Sequence, residues 1–145
     1  MRPGVMDRFD GLADRFLADI EPLRAAGTLV VGLYCTYAPV ELVRAAGAVP
    51  VGLCGKKQEP IPAAERTLPA SLCPLIKSSY GYAVTDTCPY FSASDLLVGE
   101  TTCDGKKKMY ELLAESRPVY VLELPQKPDD VDALDYWVRE LQKFR

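Results

Sequence analysis

Five cysteines and no histidine set the chemistry open to this chain of 145 residues. The thiols are Cys35, Cys54, Cys73, Cys88 and Cys103. Without histidine, Ser-His-Asp and Cys-His catalysis are excluded, as are zinc sites that use imidazole. No C-x-x-C pair occurs, so the common zinc-ribbon and thioredoxin spacings are missing too. An odd number of cysteines with no secretion signal argues against a disulfide framework. Buried thiols, a redox thiol or metal ligands remain. Cys88 and Cys103 are the most pointed pair: they stand fifteen positions apart around an apolar run, and Cys103 directly precedes Asp-Gly-Lys-Lys-Lys.

The elements that must position these thiols follow from hydrophobic spacing. Met6 to Ala26 reads as a helix, with Phe9, Leu12, Phe16, Ile20 and Leu23 on one face. Pro22 is expected to kink or end it near Ile20, and Gly27 stops it. Thr28 to Tyr34 is a short β-branched run, a buried strand. Pro39 to Ala46 reads as a helix, and Val49 to Leu53 as a strand that, given Pro50, lies at an edge or begins at Val51. Gly55 to Pro69 is a long loop, and Leu72 to Gly81 a short helix or irregular segment. Asp95 to Gly99 is a third strand. Gly105 to Ser116 is a helix with Asp104 as its N-cap. Val119 to Leu124 is a fourth strand, Pro125 to Asp130 a turn, and Val131 to Arg145 a last helix with Leu134, Trp137, Val138 and Leu141 on one face. Alternating strands and helices predict an α/β fold: a three-layer open parallel sheet of about four strands with flanking helices, of the Rossmann or flavodoxin type. Residues 1–27 form an N-terminal helical segment and residues 28–145 the α/β domain. The final helical pattern is still running, uncapped, at Arg145, as in a truncated chain.

On this layout Cys35, Cys54 and Cys103 follow the first three strands, while Cys73 and Cys88 lie in the loops between. The carboxyl ends of parallel strands form one edge, where ligands bind. Cys35 and Cys103 also fall just before helices, whose unpaired N–H groups favour a thiolate or an anionic cluster. An all-thiolate set suits a soft metal or an iron–sulfur cluster. Free cysteine is also a common core filler, and that reading stands beside the first.

Other motifs are weaker. "GETTCDGKK" follows a strand and opens a helix, but five residues separate Gly99 from Gly105 and Lys107 stands where a phosphate loop needs Ser or Thr. Lys106, Lys107 and Lys108 read as a solvated run, or as neutralising an anionic cluster or meeting an acidic partner. In "IKSSYGYAVTD", Ser78, Ser79 and Tyr80 are turn residues or hydrogen-bond donors to sulfur or substrate. Glu41, in the first turn of the helix after Cys35, is either a complement to the helix dipole or the carboxylate of the site. Glu41 and Ser78 are the candidate catalytic residues.

Composition bounds the rest. Apolar residues make up 48% and charged residues 26%, with a formal charge of -3. This is the balance of a soluble globular domain. No basic face invites nucleic acid. No run is long enough to span a membrane, and Asp7, Asp10 and Asp14 interrupt the N-terminus where a signal peptide needs apolar residues. A cytoplasmic protein is expected.

"GLYCTYAPVELVRAAGAVPVGLC", "LPASLCPLIKSSYG", "CPYFSASDLLVGETTCDGKKKMYELL" and "RPVYVLELPQ" resemble the 2-hydroxyacyl-CoA dehydratase and benzoyl-CoA reductase family, closest to its double-cubane iron–sulfur branch. The likeness covers most of Gly32 to Gln126. It implies an iron–sulfur cluster held through Cys35, Cys73 and Cys103, with one iron of a [4Fe-4S] cubane left open for substrate, water or a sulfide bridge to a second cubane. It implies that Cys54 and Cys88 help to hold that second half. It implies electron delivery by a separate ATP-hydrolysing iron–sulfur activator, a small-molecule or acyl-CoA substrate, and a homo- or heterodimer. Family members are substantially longer, with further α/β domains, so a complete cluster and catalysis are expected of the longer protein and not of these 145 residues. The competing reading is a non-enzymatic domain in which the cysteines hold structural zinc; their irregular spacing counts against it.

Overall fold

The computed structural model describes residues 3–145, and of residues 13 and 14 the backbone alone. Four strands form one all-parallel sheet: β1 (Val30–Leu33), β2 (Val49–Gly52), β3 (Leu96–Glu100) and β4 (Val119–Leu122). Their order, β2-β1-β3-β4, is that of a flavodoxin-like doubly wound sheet. β2 is an edge strand, as Pro50 requires, since proline has no N–H to give to a second neighbour.

Side-chain alternation divides the core into two layers. Val30, Tyr34, Val51 and Leu97 face one way, toward Ile20, Ile76, Phe91, Met109, Tyr110 and Leu113. These come from α1 (Leu12–Ala25), α2 (Pro74–Val84), α3 (Pro89–Ala93) and α4 (Asp104–Leu113). Val31, Leu33, Val98 and Leu122 face the other way, toward Val43 of α5 (Val40–Ala45) and Trp137 and Phe144 of α6 (Ala133–Phe144). Leu97 and Val98 are fully buried, each stabilising the fold by about 1.5–3 kcal/mol. A short helix, α7 (Ile61–Ala64), interrupts the expected loop between Gly55 and Pro69.

Several expectations are corrected. The N-terminal helix is in two parts: a 3-10 turn at Gly4–Arg8, then α1, which begins after Gly11 at a φ of 70°. Pro22 neither ends nor breaks α1, which runs on to Ala25; the helix is mostly exposed, so one missing N–H donor leaves no buried group unpaired. The segment after Cys73 is a regular helix of 11 residues, and α3 was not expected at all. Asp104 is not the cap of α4: Cys103 occupies the cap position, and Asp104 starts the helix and pairs with Lys107 at 3.0 Å. In α6, Leu134 and Val138 are exposed, while Ala133 and Glu140 are buried and Trp137 and Phe144 pack on the core. Two apolar stripes compete on that helix; the aromatic one wins because it buries more area, and Phe144 stacks on Tyr120 with centroids 5.1 Å apart.

One close approach sets the spacing between β3 and α4. A Cβ at Gly99 would lie 2.4 Å from the Tyr110 ring, and that ring is 2% exposed and held by a hydrogen bond. Gly99→Ala is therefore expected to lower stability by about 1–3 kcal/mol in urea denaturation. Gly52→Ala, with nothing within 4 Å of its Cβ, is the control and should stay within about 0.5 kcal/mol of the parent.

Candidate functional site at the carboxyl edge of the sheet

The sheet reverses direction between β1 and β3: β1 leads to β2 on one side, and β3 leads to β4 on the other. That is a topological switch point, where an open α/β sheet leaves a crevice for ligands. Cys35 follows β1 by two residues and Cys103 follows β3 by three. Cys54 lies two residues beyond β2. Cys73, Cys88 and Cys103 are the cap residues of α2, α3 and α4, and none spends its side chain on a capping bond. Pro74 and Pro89 follow two of them at the first helical position, where no N–H is needed. Cys35 departs from the expectation of a helix start: Thr36, Tyr37 and Ala38 separate it from Pro39, the cap of α5. Cys54, Cys73 and Cys103 are exposed and Cys35 and Cys88 half-buried, with Cys88 also packed against the larger core layer.

Two tyrosines form the floor beneath these loops. Tyr34 and Tyr110 meet with ring centroids 5.9 Å apart, worth about 0.5–1.5 kcal/mol beyond burial. Burial raises the Tyr34 phenol well above its ordinary value, and the nearby Cys88, Tyr110 and Cys54 add to the rise. Burial likewise pushes Tyr110 up to about 12, opposed by its bond to the Glu100 backbone and reinforced by Glu100, Cys103 and Cys54. Tyr34 also lines a cavity with Cys54 and Cys88.

Cys54 and Cys88 line a cavity of about 760 Å³ together with Tyr34, Lys56, Lys57 and Tyr82. The protein packed around the Cys54 thiol raises its pKa, Lys56 opposing and Glu100 adding to the rise. Ser79 docks the Cys54–Gly55 turn on α2 by accepting the Gly55 N–H at 2.9 Å. Ser78 is buried behind the wall of this cavity and donates to the carbonyl of the lining residue Lys57 at 2.6 Å. Glu41 lies exposed in the first turn of α5. Lys77, buried, donates to Glu65 Oε1 and to the Ala70 carbonyl, each at 2.6 Å, and fixes the stretch that leads to Cys73.

Two groups at the switch point, Lys106 and Glu100, were missed or only half seen in the sequence. Lys106 is not solvated: it is 8% exposed, burial lowers its pKa, and its Nζ contacts Cys35 Sγ. Lys107 and Lys108 are the exposed members of that run, paired with Asp104 and Glu111. Glu100 is fully buried; its Oε1 accepts the Ala38 N–H at 2.5 Å and its Oε2 is unpaired. Burial raises its pKa against the pull of the Ala38 and Tyr37 amides. Cys35 has a φ of 75°, a left-handed backbone that costs a residue with a side chain about 1–2 kcal/mol. A glutamate ending the apolar run "DLLVGE" was the visible signal for Glu100.

These residues can present anionic sulfur to solvent beside a buried ammonium group. Among the described residues, no three of the cysteines and acids come close enough to hold a metal ion. Zinc needs its donors gathered in one tetrahedron, with Zn–S bonds of about 2.3 Å, which this arrangement does not provide. An iron–sulfur cluster spreads its thiolates over separate irons. The donor type, exposure and common edge of Cys35, Cys73 and Cys103 fit that demand. No helix among the described residues is long and apolar enough to cross a membrane.

Residues 35–145 match the family described as 2-hydroxyglutaryl-CoA dehydratase, D-component. The chain is also similar to "Putative dehydratase subunit YjiM" of Escherichia coli (strain K12), 48% identical over 143 residues. That match covers 99% of this chain and spans 37% of the length of that protein.

The tyrosine floor has a pH consequence. The unfolded chain ionises Tyr110 near 10.0, while the folded chain holds its proton up to about 12. The folded state thus binds more protons across that interval, so the stability present below 10.0 is lost as pH rises toward 12. Tyr110→Phe should lower stability at neutral pH yet lose less of it than the parent across that alkaline interval. Urea midpoints against pH measure this, and parallel slopes would contradict the buried-phenol account.

Proposed function

The chain belongs to the 2-hydroxyglutaryl-CoA dehydratase D-component family, and from that membership we propose that it is the iron–sulfur-cluster-binding domain of a 2-hydroxyacyl-CoA dehydratase-type enzyme working at low potential. The observation that carries the proposal is a donor set of accessible thiols alone, with Cys35 and Cys103 at the switch point of the sheet. Cys35, Cys73 and Cys103 hold the cluster. When bound, the cluster supplies one-electron reduction of the substrate, an acyl-CoA thioester or a small molecule, with electrons delivered by a separate ATP-hydrolysing iron–sulfur activator.

The chain's own residues set the conditions for that chemistry. The N–H groups that begin α2 and α4, next to Cys73 and Cys103, stabilise negative charge on sulfur. Lys106, beside Cys35, offsets more of it from a buried position, where its charge is least screened. Cys54 and Cys88, across the tyrosine floor, hold the second half of a double cubane in that branch of the family. The cavity they line receives substrate; Ser78 and Ser79 keep its wall in place through Lys57 and Gly55. Glu41, exposed at the start of α5, is available for proton exchange with a substrate at the rim.

Anaerobic reconstitution of the longer protein that carries these residues, with ferrous iron and sulfide, tests this. The expected result is a brown protein with thiolate-to-iron absorption that Cys35→Ser, Cys73→Ser and Cys103→Ser each largely abolish. Cys54→Ser and Cys88→Ser should remove only part of the iron if the cluster is a double cubane. A colourless chain that takes up zinc tightly and no iron would defeat the proposal in favour of a structural zinc domain. Binding of a coenzyme A thioester to the loaded protein separates the dehydratase reading from reduction of a small molecule.

A further inference from the structure

Cys35 is held by the fold, whereas Cys73, Cys88 and Cys103 are presented at helix starts. Its left-handed backbone persists without a glycine in the turn Tyr34-Cys35-Thr36-Tyr37-Ala38. A residue in such a region stays there only where its surroundings leave no alternative. Two fixed points provide that constraint, and both belong to β3. The Tyr34 N–H donates to the Val98 carbonyl at 2.9 Å, immediately before Cys35. Three residues after Cys35, the Ala38 N–H donates to Glu100 Oε1 at 2.5 Å, and the Tyr37 amide is drawn to the same carboxylate. The turn is thus suspended between Val98 and Glu100, two positions apart on one strand. Glu100 also ties in the third element: its N–H donates to Tyr110 Oη at 3.3 Å, on the helix that carries Lys106 against the Cys35 sulfur.

We propose that Glu100 is the positioning residue for Cys35: by accepting the Ala38 amide it sets the left-handed turn and so aims the sulfur at the rim. The role needs an acceptor at Oε1. Oε2 is buried and makes no bond, so it takes no part in holding the turn. The inference deepens the reading of Cys35 as a cluster ligand, yet it concerns the metal-free chain and can be tested there.

The test compares Glu100→Gln, which keeps an acceptor oxygen, with Glu100→Met, which keeps the volume and removes it. Amide hydrogen exchange at Ala38 and the alkylation of Cys35 relative to Cys73 are read on the reduced, metal-free chain. Glu100→Met is expected to speed Ala38 exchange about tenfold, the scale of one lost hydrogen bond, and to shift the Cys35-to-Cys73 labelling ratio. Glu100→Gln should stay close to the parent in both. Parent-like values in a folded Glu100→Met chain overturn the proposal, and so does a Glu100→Gln chain that behaves like Glu100→Met. Should Glu100→Met not fold, Glu100→Asp replaces it: drawing the oxygen back by one methylene should again speed Ala38 exchange, and unchanged exchange refutes the role. Iron retention after reconstitution is read separately. A loosened turn with iron at the parent level leaves the positioning role standing and removes Cys35 from the ligand set.

Discussion

Parallel pairing of β1 with β3 joins backbone sixty-five residues apart, Val31 opposite Leu96, and the geometry of the rim is inherited from it. The ladder continues past the strand, with the Tyr34 N–H on the Val98 carbonyl, so the chain leaves β1 in a fixed direction just where Cys35 begins. On the far side, Val98 is followed by Gly99, which admits the Tyr110 ring, and by Glu100, which reaches back to Ala38. Without that pairing, Cys35 and Cys103 would share no edge. The helices matter less directly: they cover the sheet, and α4, which begins after Cys103, is fed by a loop that leaves the carboxyl end of β3.

The fold was readable because strands buried on both faces must be short, apolar and β-branched, and "TLVVGLY", "DLLVG" and "VYVLEL" are. Pro50 left two readings of β2, an edge strand or a start at Val51, and the structure has an edge strand that begins at Val49. Failures came where two physical effects compete. Pro22 costs one hydrogen bond, and an exposed helix tolerates that. In α6 the period allowed two stripes, and only packing against Tyr120 chose between them. The start of α3 was hidden because a proline after Cys88 reads equally well as a loop residue and as a first helical residue.

The thiol edge was visible in the sequence for the same topological reason as the sheet, while its supporting groups were not. Lys106 stands in a run of three lysines, and nothing in the run distinguishes the one that turns inward; its burial depends on the register of α4 against the Cys35 turn. Glu100 reads as a polar end to a strand. Its burial follows from strand alternation: Val98 faces α5 and α6, so Glu100, two residues on, faces the same way and meets the Ala38 amide. Glu41, the carboxylate nearer to Cys35 in sequence, stays in solvent on α5.

The ionisable groups around Cys35 are arranged against the stability of the fold. An acid with an unpaired buried oxygen, an ammonium at the positive end of a helix and a left-handed cysteine each cost free energy. The apolar core is carried by side chains such as Leu97, Val98, Met109 and Leu113. Each has instead the effect of fixing one sulfur: the acid holds its backbone, the ammonium faces its charge, and the backbone conformation sets its direction.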